Sequence, residues 1–519
     1  MKRSLYFILC LALLVFWSSC RNDFEFSPST GQLEFSKDTV YLDTVFSNIG
    51  SSTYNLKVYN KSDNDILIPT LKLGLGEDSE YRLNVDGIAG KAFENVEILA
   101  KDSMFVFIET TIDYSNFTNT TGNFLYTDKI EFDSSSNLQT VDLVTLVQDA
   151  IFIYPNRDDT TKIIETLTLN VNGEQLETEI QGRYLLPTEL TFTNEKPYVV
   201  YGYAVVSGGE TLTVDAGARV HFHANSGLIV TEGGSLNVNG NYSPNQDRLD
   251  NEVIFESDRL EPDFSDIPGQ WGTIWLFENS LNNVINYATI KNATIGILSD
   301  ANPDAINNKL TITNSQIYNS SNFGILGRNT SIKAENIVIN NSGQSSFAGI
   351  FGGKYNFTHS TIANYWNNSF RQFTSVLLNN FVLDEEGTAF LSDLTEANFN
   401  NCIIYGNDNP EIFLDEIEDP AVAFNFKFTN CLIRFDNSSN NFTGENYDFD
   451  DLTHYEGNIF NENPDFKNTE TNELIIGQDS GANNQGNPLF SSQVPLDILK
   501  VNRTGSPDLG AYQHEIFED

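Results

Sequence analysis

Between Leu310 and Arg434 the chain repeats itself, and short units of this kind can bury their apolar faces only by stacking on one another. Leu310-Thr-Ile-Thr-Asn-Ser-Gln-Ile, Ile332-Lys-Ala-Glu-Asn-Ile-Val-Ile and Tyr355-Asn-Phe-Thr-His-Ser-Thr-Ile align without gaps. Val376-Leu-Leu-Asn-Asn-Phe-Val-Leu, Ala397-Asn-Phe-Asn-Asn-Cys-Ile-Ile and Asn425-Phe-Lys-Phe-Thr-Asn-Cys-Leu-Ile fit beneath them, the last with one extra leading residue. The polar column reads Asn314, Asn336, His359, Asn380, Asn401 and Asn430, at steps of 22, 23, 21, 21 and 29 residues. A β-rich unit with a period near 22 points to a parallel β-helix or another solenoid. Ile312, Ile317, Ile339 and Ile362 are expected to point inward in ladders. The recurrent Asn suits a turn, because it tolerates the left-handed region and its amide can bond its counterpart on the next coil.

Asn, Thr, Ile, Phe and Gly are abundant and helix formers scarce, so strands and turns account for the composition better than helices do. A formal charge of −42 at pH 7 argues against a nucleic-acid partner, whose phosphates would be repelled, and against direct adsorption to anionic lipid. Four cysteines are too few to staple a chain of 519 residues. Cys402 and Cys431 occupy equivalent columns of two repeats; stacked coils would bring them close enough for a disulfide, but inward-facing free thiols are expected, beside Ser315 and Ser360 in the same column.

At the N-terminus, Lys2-Arg3 and the apolar run Leu5 to Trp17 form a secretory signal, too short and too early for a spanning helix. The run ends Trp17-Ser18-Ser19-Cys20, which resembles a bacterial lipoprotein signal, with Trp17 where Leu is usual. That resemblance implies a lipid anchor on Cys20, which would then begin the mature chain. Arg21-Asn22-Asp23-Phe24-Glu25 resembles the acidic tag that carries lipoproteins of the Bacteroidota group to the outer cell surface. The implied address is the outer membrane, facing outward; the alternatives are its periplasmic face or secretion.

From Leu33 to Gln148 short strands alternate with turns and show no repeat, as in Thr53-Tyr-Asn-Leu-Lys-Val-Tyr followed by Asn60-Lys-Ser-Asp-Asn-Asp. This pattern predicts an immunoglobulin-like β-sandwich. From Tyr198 short apolar strands are joined by Gly turns at Gly217 and Gly233-Gly234, and this stretch resembles the opening coils of right-handed parallel β-helices of the pectate-lyase-like superfamily. Near the C-terminus, Arg503, Pro507, Asp508, Gly510, Ala511 and Tyr512 match the closing segment of bacterial extracellular β-helix proteins. Such a segment is expected to cover a last coil that would otherwise expose apolar side chains and an open strand edge.

The expected fold is therefore all-β: an N-terminal β-sandwich, then a right-handed single-stranded parallel β-helix with a C-terminal cap. The expected boundaries are 1–19 signal, 20–32 lipidated tether, 33–149 sandwich, 150–197 connecting strands, 198–450 β-helix and 451–519 capping segment.

Candidate chemistry lies where the coil rhythm breaks. The loop from Asp258 to Gly272 carries Asp258, Arg259, Glu261, Asp263 and Asp266, carboxylates that can serve acid/base work or hold calcium. Acidic residues are common throughout this chain, and Gln270-Trp271-Gly272 reads better as a structural anchor that docks the loop. Tyr365-Trp366 follows Asn364 where other repeats have Ser320-Ser321 or Ser342-Gly343, and such rings can stack on sugars. The competing reading makes Trp366 a cover for a neighbouring coil. A further break precedes Asn430, in residues that carry Glu411 to Asp419. His359 in the Asn column reads as structural, and the five histidines show no zinc-ligand spacing. Asp300-Ala-Asn-Pro-Asp304 starts like a calcium loop, but Ala305 and Thr311 stand where Gly and the closing Glu belong. The basic and carboxylate motifs of polysaccharide lyases and pectin hydrolases of this superfamily are not found.

Three functions remain open at this level. The first is a non-enzymatic surface lipoprotein that binds polysaccharide or a surface protein, with no cofactor unless calcium. The second is a polysaccharide lyase or glycoside hydrolase with a divergent carboxylate site. The third is a structural spacer.

Overall fold

The computed structural model describes residues 26–117, 123–133, 135–171, 173–301, 307–438 and 441–517. The expected signal, Cys20, the expected tag Arg21–Glu25 and most of the Asp300–Asp304 segment lie outside these residues. The chain divides into two compact units, Met1–Asp149 and Ala150–Asp519, and is built almost wholly of strands.

In the first unit a six-stranded and a five-stranded sheet share one core. Period-two alternation in strands such as Tyr54–Tyr59 and Ser103–Thr110 sends Leu56, Val58, Val106 and Ile108 into that core, where none is exposed to solvent. The Tyr81 hydroxyl is satisfied in its buried place, donating to the Tyr126 carbonyl at 3.1 Å and lying within hydrogen-bond distance of the Thr145 hydroxyl at 3.0 Å.

The second unit is a parallel β-helix. Its coils add strand by strand to two long parallel sheets of eleven and eighteen strands. Two interior ladders hold the stack. Ile290, Ile317, Ile339, Ile362, Ile404 and Ile433 are successive register partners, all fully buried. On the opposite wall Ile312 and Ala334 give way to Phe357, Phe399, Phe428 and Tyr455. These four rings stack at 5.2, 4.9 and 5.6 Å, close to the strand spacing, so each coil packs on its neighbour ring on ring. Cys402 and Cys431 are free and buried in this interior.

The turn column is real but its membership differs from the sequence alignment. Residues following register partners along one strand column are Tyr287, Asn314, Asn336, His359, Asn401, Asn430 and Gly457, all at positive φ between 47° and 67°. Asn336 donates its amide to Asn314 Oδ1 at 2.9 Å, and a second ladder runs through Asn292, Asn319 and Asn341. Asn380 belongs to neither. It follows the strand Val376–Asn379, which pairs with Phe347–Gly349, and its side chain bonds the backbone of Ile417. His359 and Asn401 are thus one coil apart. Strands on two walls of a coil share the same apolar alternation, so the similarity of Val376–Leu383 to the other units reflects pattern and not position.

The strands of 150–197 are hydrogen-bonded into the same two sheets: Ile151–Ile153 pairs with Tyr198–Val200, and Gly182 to Tyr184 pairs with Tyr203 to Val205. The hairpin of Thr166–Val171 with Glu174–Tyr184 lays Leu167 and Leu169 over Val205 and Ile229 on the outside of the coil.

At the other end, coil strands continue to Ile459–Phe460, and an aromatic cluster of Phe435, Phe442, Tyr447 and Phe449 packs against the core there. The closing segment covers the coil along its flank. Leu474, Ile498, Ala511 and Tyr512 bury Val338 and Ala363, while Ile476, Ala482 and Leu509 bury Ile403 and Leu432. Arg503, fully buried, donates to Asn336 Oδ1 and to the Gly510 carbonyl at 2.5 and 3.0 Å. Gly510, at φ +85°, brings its N–H to the Asn401 carbonyl at 2.8 Å.

Candidate functional site

Neither sequence candidate forms a site as expected. Trp366 is only 7% exposed, its indole nitrogen bonding Ser369 Oγ at 3.0 Å, and Tyr365 packs edge-on against Phe466 of the closing segment at 6.1 Å. Trp366 is thus buried, and Tyr365, partly buried, packs with apolar residues of the closing segment.

In the Asp258–Asp266 loop the carboxylates are dispersed. Arg259 pairs with Glu261 at 3.0 Å and lies 3.7 Å over the Phe264 ring. Asp266 accepts from its neighbour Ser265 at 2.9 Å, and Asp263 is exposed. Among the described residues no three His, Cys, Asp or Glu side chains gather closely enough to hold a metal ion. Gln270 pins the loop by donating to the carbonyls of Phe264 and Ile267 at 2.6 and 2.8 Å. Trp271 is buried against Phe222, ring centroids 4.4 Å apart, and donates to the Lys291 carbonyl at 2.9 Å. The anchor function of Gln270-Trp271 is thus what the geometry shows.

Asp258 departs from its loop. It turns toward the first coils, where its Oδ2 accepts from His223 Nδ1 at 2.8 Å. His223 follows the strand Arg219–Phe222, one coil beyond Tyr201, which follows Tyr198–Val200, and Tyr154 holds the same place after Ile151–Ile153. Register therefore stacks Tyr154, Tyr201 and His223 along one corner, with centroids 5.1 and 4.3 Å apart.

These rings form one wall of a groove of about 860 Å³, within the size range of small-molecule sites. Its other wall is the hairpin, through Glu179, Ile180 and Gln181, with Arg157 and Ile164 at the rim. The floor is Tyr203, Thr273, Thr294 and Ile295. Tyr203 lies flat only because Gly272 lacks a side chain: a β-carbon there would stand 2.2 Å from the Tyr203 hydroxyl. Ring faces and edges thus meet a limited set of polar groups, as in sites that orient a ligand by a few bonds.

The electrostatics follow from position. The hydrogen bond that His223 donates to Asp258 raises the His223 pKa, against the opposing effect of partial burial. Burial raises the Tyr201 phenol, helped by the charge of Asp258, and burial raises Tyr154 and Tyr203, so all three stay protonated donors at neutral pH. Tyr154, Tyr201 and His223 escape sequence inspection, because Tyr154 precedes the recognisable coils. The one available signal was the spacing of Tyr201 and His223, 22 residues, the coil period itself.

No known family model matches the chain, and no curated protein sequence matches it. Among solved structures, a family 123 glycoside hydrolase from Clostridium perfringens superposes with a TM-score of 0.16 at 10% identity, over 24% of this chain and 30% of that one. A protein of unknown function from Porphyromonas gingivalis gives 0.16 at 13% identity, over 24% and 54%. The periplasmic chaperone SfaE gives 0.14 at 12% identity, over 29% and 83%. The chain spans about a third of the first of these structures and about half of the second. Superpositions of this quality distinguish neither a fold family nor a chemistry.

Proposed function

We propose that this chain is a surface lipoprotein of the bacterial outer membrane, anchored through Cys20, whose β-helix of the pectate-lyase-like type binds a glycan without cleaving it. The observation that carries this reading is the groove beside Tyr154, Tyr201 and Tyr203, where aromatic rings lie next to the amides of Gln181 and Asn225. Such a lining suits a pyranose, which is apolar on its face and polar on its edge. A glycan array probed with the full chain in detergent is expected to give binders, lost in Tyr154→Ala with the fold intact. Absence of any binder sinks the proposal. The anchor is tested separately: metabolic labelling with palmitate should mark the parent and not Cys20→Ser.

The enzyme reading keeps one specific support, the His223–Asp258 pair at the groove, an arrangement that can move a proton. It requires that purified protein, with calcium present, release reducing or unsaturated ends from a bound glycan, and that His223→Ala abolish the release.

A further inference from the structure

We infer that Cys402 and Cys431 are an oxidation site, joined by a small-molecule disulfide such as oxidised glutathione into a bond that staples two successive coils. Both are thiols in the structure, and among the described residues no third cysteine competes for either. They immediately precede Ile403 and Leu432, which are register partners, so they stand opposite each other on neighbouring coils. Neighbouring strands lie about 4.8 Å apart, inside the Cα separation of roughly 4.4–6.8 Å that a disulfide spans. Both side chains are buried in the coil interior, and the Cys431 thiol has the Cys402 thiol as a hydrogen-bonding neighbour. Cys431 Sγ lies 3.3 Å from the carbonyl of Phe399, in the coil of Cys402. Cys402 Sγ donates to the Phe357 carbonyl at 3.7 Å, a weak contact that a turn about one side-chain bond gives up.

The chemistry is thiol–disulfide exchange. The thiolate of one cysteine attacks the oxidant's disulfide, forming a mixed disulfide and releasing one thiol. The second thiolate then attacks the protein sulfur of that intermediate and releases the other. The two cysteines lose two electrons and two protons, and the oxidant takes up both as two thiols. Burial pushes the Cys431 thiol well above its usual range, so its thiolate is available before the coils close over it and not afterwards. The bond is therefore made during folding and is then shielded from reductant.

Its effect reaches the closing segment. Each cysteine follows a turn asparagine that holds that segment: Asn401 Oδ1 accepts from the Asn487 backbone N–H at 2.8 Å, and Asn430 Oδ1 from the Asn487 side chain at 3.3 Å. A bond between residues 402 and 431 fixes the spacing of these two asparagines and so the seat of Asn487. It also closes a loop in the unfolded chain, which lowers that chain's entropy. The pair lies apart from the groove lining and does not depend on its ligand.

The test is to refold the full chain from denaturant into detergent with oxidised and reduced glutathione, and to map its peptides by mass spectrometry without reduction. Expected is a Cys402 peptide joined to a Cys431 peptide. The oxidised chain should melt roughly 3–6 °C above the same chain refolded under reductant, and a protease should cut it between Asn487 and Tyr512 about threefold more slowly. Cys431→Ser should match the reduced parent in both measurements, and Cys402→Ser, which sets a serine opposite Ser360, gives an independent reading should the first variant misfold. Recovery of both cysteines as free thiols from the folded, oxidised chain overturns the inference, as does a linked chain that melts and is cut like the reduced one.

Discussion

Trp366 and Glu252 show how burial decides what a residue is for. The Trp366 ring lies so close to the coil that a β-carbon on Gly343 would stand 3.2 Å from it. Its removal leaves a large cavity, so Trp366→Ala should destabilise the second unit by ~3–5 kcal/mol and leave glycan affinity unchanged, as read by urea unfolding and calorimetric titration. A variant of full stability that had lost its ligand would restore Trp366 as a binding residue. Glu252 is buried, and burial raises its pKa to about 7. The folded chain thus holds a proton that the unfolded chain has released above about 4.5. That contribution to stability is present below the unfolded value and is lost as pH rises through about 7. Glu252→Gln should therefore flatten the stability profile across this window and exceed the parent at pH 8 by ~1–3 kcal/mol.

Among the elements, the closing segment has the clearest consequences. Its Arg503 reaches Asn336, 167 residues earlier, so a single side chain ties the tail to the turn ladder. Arg503→Ala leaves the Asn336 and Gly510 oxygens short of a donor in a buried place. Limited proteolysis should then cut between Asn487 and Tyr512 at least tenfold faster than in the parent while coil strands stay protected; an unchanged rate would mean that the apolar contacts of Ile498 and Tyr512 suffice. A comparable tie sits inside the coil, where Arg371 and Glu411 meet at 2.7 Å with almost no solvent exposure. Breaking such a pair from one side strands a buried charge, so Arg371→Ala should cost ~3–5 kcal/mol, and Arg371→Met with Glu411→Met much less, in urea unfolding of the second unit.

At the scale of the whole chain, each of the two units has its own hydrophobic core. Residues 26–149 expressed alone should accordingly melt cooperatively, and a featureless melt would show that this core is insufficient. Much of the architecture was legible beforehand. Ile317, Ile339 and Ile362 recur at the coil period and stack in the interior, and Asn314 and Asn336 recur where the chain must turn with positive φ. Both are local demands, set by the strand alternation and by the conformation Asn tolerates, so a linear pattern records them. The alternation repeats on each wall of a coil, and for that reason it could not show that Asn380 stands off the column. Nor could it bring Asp258 to His223 or set Tyr365 against Phe466. Those depend on which coils become neighbours and on where the hairpin and the closing segment come to rest. Contacts between residues far apart in the chain are chosen by packing the entire stack at once, and only the tertiary structure could decide them.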